Sequence, residues 1–425
     1  MRKVFLAGTL TVCLLFTGCG EDKNADTDTK SKLKTLDFQV NNTSGFQRQA
    51  VNCEGESIEA ENQSVVNKSA MNQIDWSSAP TFNNQPDFIR YLRDCRIDLE
   101  ETLPVVFTNG FKPDVNDAIK VVPTWYMEWT YKSLDSKTTA YLFEISEYPG
   151  ERVAWAYKNG DNSFLNEDEM KLYNLAVKIV NDAKNFSNNL LWQELYIHDR
   201  ITELATYYTE KPQPAYARFQ TAIGALIDGK ANCQGYTDAF YMLGNMCGIK
   251  VGKVNGYANN GMHTWNTVNF NDDRTYFTDV TWDDATFKFN DTGEYPTFAY
   301  FNASTDIAGT THQWFADYVP QNLQQTPDGR DFYFTHEYFN SNEQYFGYHF
   351  DSAQSALDYI AKRIANGWRL SWMCAPYDSY YADYKNSLNY LLQSLTNLGW
   401  RGNVKIHVLN RGNKYLFITV DATPN

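Results

Sequence analysis

The sequence predicts an α+β protein, and three observations point there. Helical periodicity runs from Asn166 to Phe186 and from Leu190 to Tyr208. Strand-like runs follow at Lys250 to Tyr257, His263 to Phe270 and Thr275 to Thr281. Helices first and an antiparallel meander afterwards is the α+β order. Beyond Tyr345 strand and helix patterns alternate, which describes a small α/β module at the end of the chain. With 425 residues, two or three domains are expected, and 43% hydrophobic residues supply material for their cores. The 37 Lys and Arg against 51 Asp and Glu leave a net charge of −14, a field that repels phosphate backbones, and no basic cluster opposes it. Nucleic acid is therefore excluded as a partner. Seven cysteines are too few for a disulfide scaffold.

In chain order, Arg2 and Lys3 precede an apolar run from Val4 to Phe16 that ends in Thr17, Gly18 and Cys19. Charged, apolar, then small is the order of an export signal, and the run is too short to span a bilayer. Small residues before a cysteine resemble a bacterial lipobox, which implies that Cys19 becomes the lipidated first residue of an exported, membrane-anchored protein. Removing residues 1–18 deletes two positive charges and takes the net charge from −14 to −16. Glu21 to Lys34 lacks apolar periodicity and reads as a flexible tether.

One helix is expected over Gln85 to Leu103, on the spacing of Phe88, Leu92 and Cys95, and strands over Trp125 to Lys132 and Thr138 to Glu147. Cys53 and Cys95 either pair, as an oxidising compartment permits, or are two buried thiols. After the helices at 166–208 and a Pro-marked loop at Lys211 to Pro214, a third helical stretch covers Ala217 to Leu226. A further helix opens at Gly229-Lys230-Ala231-Asn232-Cys233-Gln234-Gly235-Tyr236, turns Tyr236, Phe240, Leu243 and Cys247 inward, and stops at Gly248. The strands that follow turn at Asn259-Asn260-Gly261 and Asn271-Asp272-Asp273. The final module reads as strand Tyr345 to Phe350, helix Ser352 to Ala365, strand Arg369 to Cys374, helix Tyr380 to Leu398, and a hairpin from Val404 to Val420.

Cys233 stands where the unpaired N–H groups and positive end of a helix favour thiolate over thiol. His263 opens one strand and Asp279 lies on the next, so antiparallel neighbours can set the two side by side. His263 would then take the Cys233 proton while Asp279 holds the imidazole tautomer. The Cys233 N–H could serve as an oxyanion donor. Singly, each residue has a bland reading: a packed thiol, a structural histidine, an aspartate capping a turn.

Order and context make the combination specific. Gly229 to Tyr236, Gly248-Ile249, Gly261-Met262-His263-Thr264-Trp265-Asn266 and Asp279-Val280-Thr281-Trp282-Asp283-Asp284 resemble the core of the transglutaminase-like superfamily. The similarity extends upstream to Ile197-His198-Asp199 and downstream to Tyr300-Phe301-Asn302 with His312. Asn232 departs from the apolar residue that frequently precedes the family's nucleophile.

The resemblance implies a papain-like core, helices packed on an antiparallel sheet, with Cys233, His263 and Asp279 as its catalytic triad. Gln234, Tyr236, Trp265 and Trp282 are candidate substrate-binding residues; the two tryptophans would wall the site or serve as core aromatics. The expected segments are 1–18 signal, 19–40 tether, 41–165 an N-terminal α/β region, 166–320 the catalytic core and 321–425 the C-terminal module. The implied reaction acts on protein or peptide amide bonds, cell-wall peptides among them, through a Cys233 thioester. Water as acceptor makes a peptidase or amidase, and an amine makes a cross-linking acyltransferase. The same fold could also serve as a non-catalytic surface binding module. No His-Glu-x-x-His or Cys-x-x-Cys spacing occurs, so neither a metal nor another cofactor is expected.

Overall fold

The computed structural model describes residues 47–52, 71, 74–97, 102–115, 117–118, 122–123, 126–210, 217–258, 261–284, 298–328, 330 and 350–424. The signal segment with Cys19, the tether, Cys53, the 211–214 loop, the Asn259-Asn260 turn and the strand expected at Tyr345, up to Phe350, lie outside them. Among the described residues no helix is long and apolar enough to cross a membrane. The architecture is α+β, with separate sheets in the N-terminal, central and C-terminal parts.

The N-terminal part is a five-stranded sheet in the order β1-β4-β5-β3-β2, made of β1 Gln47–Asn52, β2 Thr81–Phe82, β3 Thr102–Phe107, β4 Tyr126–Ser133 and β5 Thr139–Ser146. Helix α1, Gln85–Ile97, packs Phe88 against Phe107 and Phe143 at centroid distances of 5.0 and 5.3 Å. It ends earlier than its periodicity predicts. Pro104 disfavours the helical region for the residue before it, and the apolar run around it joins the sheet as β3.

The central part begins with a helix that the periodicity did not show. Helix α2, Pro149–Asn159, has proline in its first turn, the Glu151 carboxylate accepting the Tyr148 N–H at 3.0 Å, and Gly160 at its end with φ 68°. It packs against α5, Cys233–Cys247, as do α3, Glu167–Phe186, and α4, Leu190–Leu204. Helix α3 starts as its sequence predicts, with Asn166 and Glu169 exchanging hydrogen bonds of 2.9 and 3.0 Å with each other's backbone. Helix α4 is shorter than expected, because Thr206–Tyr207 forms a two-residue strand, β6, parallel to β7, Lys230–Ala231. The stretch expected to be helical from Ala217 is a 3₁₀ turn at Arg218–Gln220 and a π-helical turn at Gly224–Asp228, closed by Gly229 at φ 72°. These two short pieces bring the chain back beside the start of α5.

Helix α5 is buried on nearly every side, with Tyr236, Phe240, Leu243 and Met246 in one cluster with α3 and α4. It lies on an antiparallel sheet ordered β10-β9-β8-β11, from β8 Lys250–Ala258, β9 Gly261–Asn269, β10 Thr275–Thr278 and β11 His312–Trp314. Two one-turn helices, α6 Val280–Asp283 and α7 Thr305–Ala308, flank the sheet.

The C-terminal part is the sheet β12-β14-β13, from β12 Leu370–Pro376, β13 Gly402–Arg411 and β14 Tyr415–Pro424, with α8 Ala353–Ala365 and α9 Tyr384–Asn397. Leu416, Ile418, Val420 and Ala422 of β14 pack with the two helices, whereas Phe417 joins Cys374, Leu409, Tyr300 and Trp282 in a cluster with the central part. The middle strand is therefore covered on both faces over Leu416 to Ile418, where its sequence is continuously apolar before Thr419 and Asp421 interrupt it. Lys414 adds a 2.9 Å ion pair to Asp306 at the edge of that contact.

Candidate active site

Cys233 is the first residue of α5, and the chain reaches it by a close approach. Asn232 caps the helix, its side-chain oxygen accepting the N–H of Gln234 at 3.1 Å and of Gly235 at 3.4 Å. The polar residue before the nucleophile thus has a structural use that an apolar one would lack. A Cβ on Gly235 would meet the Phe219 carbonyl at 2.6 Å, Ala231 Cβ at 2.8 Å and the Thr221 carbonyl at 2.9 Å. Gly235→Ala is expected to push the first turn of α5 off the Phe219–Thr221 backbone, costing about 1–3 kcal/mol and slowing alkylation of Cys233. Thermal unfolding and iodoacetamide kinetics read both, and an unchanged variant would show that the contact is not needed.

His263 lies on β9 and Asp279 just past β10. The expected strand does not continue through Asp279, which ends β10 and caps α6: its Oδ1 accepts the N–H of Thr281 at 3.0 Å and of Trp282 at 3.3 Å. Its Oδ2 accepts the Nε2–H of His263 at 2.7 Å. One oxygen thus serves as the helix cap and the other meets the imidazole.

Nδ1 of His263 is buried without an oxygen or nitrogen partner. Burial works against its charged form, but the Asp279 charge and hydrogen bond, with the Cys233 thiol after them, push the imidazole pKa up to about 10. Asp279 is held below the usual carboxylate range: burial opposes this, and the charge and hydrogen bonds of His263 and His312 overcome it. Cys247, at the far end of α5, is pushed up to about 11 by burial. Cys233, His263 and Asp279 are all buried, at 7%, 3% and 2% exposure.

Trp265 and Trp282 combine their two readings. Both belong to the apolar core, and both rings stand beside His263, at centroid distances of 5.8 and 5.9 Å. They form a wall of low polarity around the imidazole. Gln234 is buried in the first turn of α5, and Tyr236 is fully buried with its hydroxyl donating to Asp284 at 2.6 Å.

Linear spacing did not reveal that His312, on β11, donates its Nε2–H to the same Asp279 oxygen at 3.0 Å. In register, His312 lies opposite Ala258 and His263 opposite Gly256, both on β8 between them. Two small residues on one face of the intervening strand leave room for the imidazoles to converge over it. His263, Asp279 and His312 are also residue types that could hold a metal ion, with one ligand atom each within 4.8 Å of one another. The N···O separations of 2.7 and 3.0 Å suit N–H···O bonds. They are tighter than the ~3.3 Å between neighbouring ligands of a tetrahedral ion with bonds of about 2.0–2.1 Å.

No curated protein matches the chain. Among solved structures it is similar to a TGase at 15% identity, covering 48% of this chain and 59% of that one with a TM-score of 0.25. It is also similar to the periplasmic domain of TgpA from Pseudomonas aeruginosa at 11% identity, covering 37% and 69% with a TM-score of 0.23. At these scores the likenesses carry no argument, and the chain spans only 59% of the first structure's length. The family comparison is local and direct: residues 174–282, which contain Cys233, His263 and Asp279, match the transglutaminase-like superfamily and form a domain of that kind.

Proposed function

We propose that the chain is a cysteine acyl-transfer enzyme that opens peptide or protein amide bonds through a thioester on Cys233, with water as the acceptor. The observation that carries this reading is the 2.7 Å bond from His263 Nε2 to Asp279, which leaves Nδ1 as the nitrogen for the cysteine. With its pKa pushed up to about 10 the imidazole holds a proton at neutral pH, and the neighbouring sulfur, at a helix start, reacts as the thiolate. The thiolate sulfur attacks the carbonyl carbon. As the C–N bond breaks, His263 passes its Nδ1 proton to the departing amine and a thioester remains. His263, now neutral, takes a proton from water; the hydroxide oxygen adds to the thioester carbon, and the acid leaves as the C–S bond breaks and the thiolate returns. An amine in place of that water gives a new amide by the same steps.

The test is to incubate the protein with an N-blocked glutaminyl dipeptide or a longer peptide, quench in acid and measure intact mass. An acyl adduct is expected on wild type and not on Cys233→Ala, and a fluorescent primary amine added to the reaction separates hydrolysis from transfer. Absence of any adduct and of any turnover with both substrate classes would overturn the reading in favour of a binding module.

A further inference from the structure

Asp279 holds four N–H donors: Thr281 and Trp282 on Oδ1, His263 and His312 on Oδ2. An ionised carboxylate only accepts, so both imidazoles present Nε2–H to it. This fixes the rest of a chain. Nδ1 of His312 lies 2.8 Å from Thr311 Oγ1, and Thr311 Oγ1 lies 2.7 Å from the Tyr300 hydroxyl. In neutral His312 that nitrogen accepts from Thr311, which in turn accepts from Tyr300. The ring is boxed by Trp265, Trp282 and Tyr300, each at a centroid distance of 4.9 Å, and it is 2% exposed. A side chain so completely ordered by its neighbours can do little except hold Asp279.

We propose that His312, oriented by Thr311 and Tyr300, is a positioning residue of the triad: its Nε2–H pins Asp279 Oδ2 so that the carboxylate stays aimed at His263 and the thiolate–imidazolium pair is maintained. The inference rests on the reading of Cys233 and His263 as the reactive pair. Without His312 the buried carboxylate loses one of the two N–H donors that hold Oδ2 in place and gains room to turn. His263 is then less firmly held, and the thiolate forms at higher pH. The titratable groups around the two imidazoles are Cys233 from α5, Asp279 and Asp283 at the β10–α6 corner and Tyr300, with His198 of α4 bonded to Asp283 at 3.4 Å behind them. Asp279 is hydrogen-bonded to both histidines.

The experiment is the pH dependence of iodoacetamide alkylation of Cys233 in the full chain, located by peptide mass mapping and needing no substrate. His312→Phe fills the box without a donor. It is expected to move the acid-side inflection up by about one pH unit and to slow alkylation at neutral pH about tenfold, with the near-UV circular dichroism retained. His312→Gln, whose side-chain N–H can reach Asp279 as Nε2–H does, is expected to restore the inflection, and Thr311→Val to move it part of the way. If His312→Phe fails to fold, the Gln and Val variants decide. An inflection unmoved by Phe and Val, or moved as far by Gln as by Phe, overturns the proposal. So does an inflection that shifts when wild type is treated with EDTA, since His312 would then be a metal ligand. Alkylation indifferent to His263→Ala would instead mean that the underlying reading of the reactive pair has failed.

Discussion

Cys233→Ala is expected to lower turnover on any accepted amide substrate by about a million-fold, the scale seen when a triad nucleophile is removed. His263→Ala should cost nearly as much, and the double variant little more than either alone, because thiolate and imidazolium act as one unit. Asp279→Asn should cost about 10⁴-fold, since the asparagine can present its own N–H to His263 and impose the other tautomer. Asp279→Ala is a poorer probe. Oδ1 caps α6, so alanine also removes a helix cap worth about 1 kcal/mol and leaves two buried imidazole N–H groups without their acceptor. Alkylation gives the same ranking without a substrate. Cys233 should react first, since burial pushes Cys247 up to about 11, whereas Cys233 stands at a helix start beside His263. The imidazolium is the raised form, present well below pH 10 and lost as pH rises through about 10. The partnership with the thiolate should therefore persist across the neutral range and fade on the alkaline side. Faster labelling of Cys247 than Cys233 would sink this assignment.

Three short blocks made the placement of Cys233, His263 and Asp279 legible, because each residue carries a local device: a helix start for Cys233, a strand for His263, a strand end for Asp279. Those devices are written in neighbours such as Asn232, Gly235 and Thr281, which the sequence displays beside them. His312 has no such neighbourhood. It reaches Asp279 only because β11 returns antiparallel to β8 on the side away from β9, and because Gly256 and Ala258 keep the intervening face small. A pairing between strands that distant in sequence is set by tertiary topology, not by spacing. Helix α2 lacks clear apolar periodicity but carries start and stop signals in Pro149, Glu151 and Gly160. The π-helical turn before Gly229 was not legible, since no residue pattern marks such a turn and the close approach of Gly224 to the Arg218–Phe219 backbone, where a Cβ would collide with the Arg218 carbonyl, is a tertiary feature. On the C-terminal sheet, the hairpin pattern from Val404 to Val420 does not say that Phe417 faces the central part while Ile418 faces the helices, which tertiary packing decides.

Lys253→Met is expected to destabilise the folded chain by about 3–5 kcal/mol near neutral pH, the cost of breaking a buried ion pair from one side. The Lys253 ammonium, on β8, lies 2.7 Å from Asp238 of α5 and 3.1 Å from Glu151 of α2, with all three side chains buried. It also stands 3.7 Å above the Tyr148 ring. Asp238 takes the N–H of Gly150 at 3.0 Å and of Ala222 at 2.9 Å, so one carboxylate gathers α2, the segment before α5, and α5 itself. Methionine keeps the apolar stem and deletes the charge, leaving two carboxylates buried together. Burial already pushes Asp238 above its ordinary value, with Lys253 opposing it, and the substitution removes that opposition. The sign of the pH effect follows. A carboxyl whose folded pKa is raised takes up protons in the native state, so the variant loses stability as pH rises above the ordinary carboxylate range and regains it as pH falls. The gap to wild type in urea unfolding should therefore be widest at pH 7–8 and narrow toward pH 5. Asp238→Asn combined with Lys253→Met should cost less than Lys253→Met alone, since the amide oxygen can still accept a backbone N–H without a charge to bury. A Lys253→Met gap below 1 kcal/mol at neutral pH, or one that does not change with pH, would show that the three charges are solvated and that α5 is held at its nucleophile end by apolar packing alone.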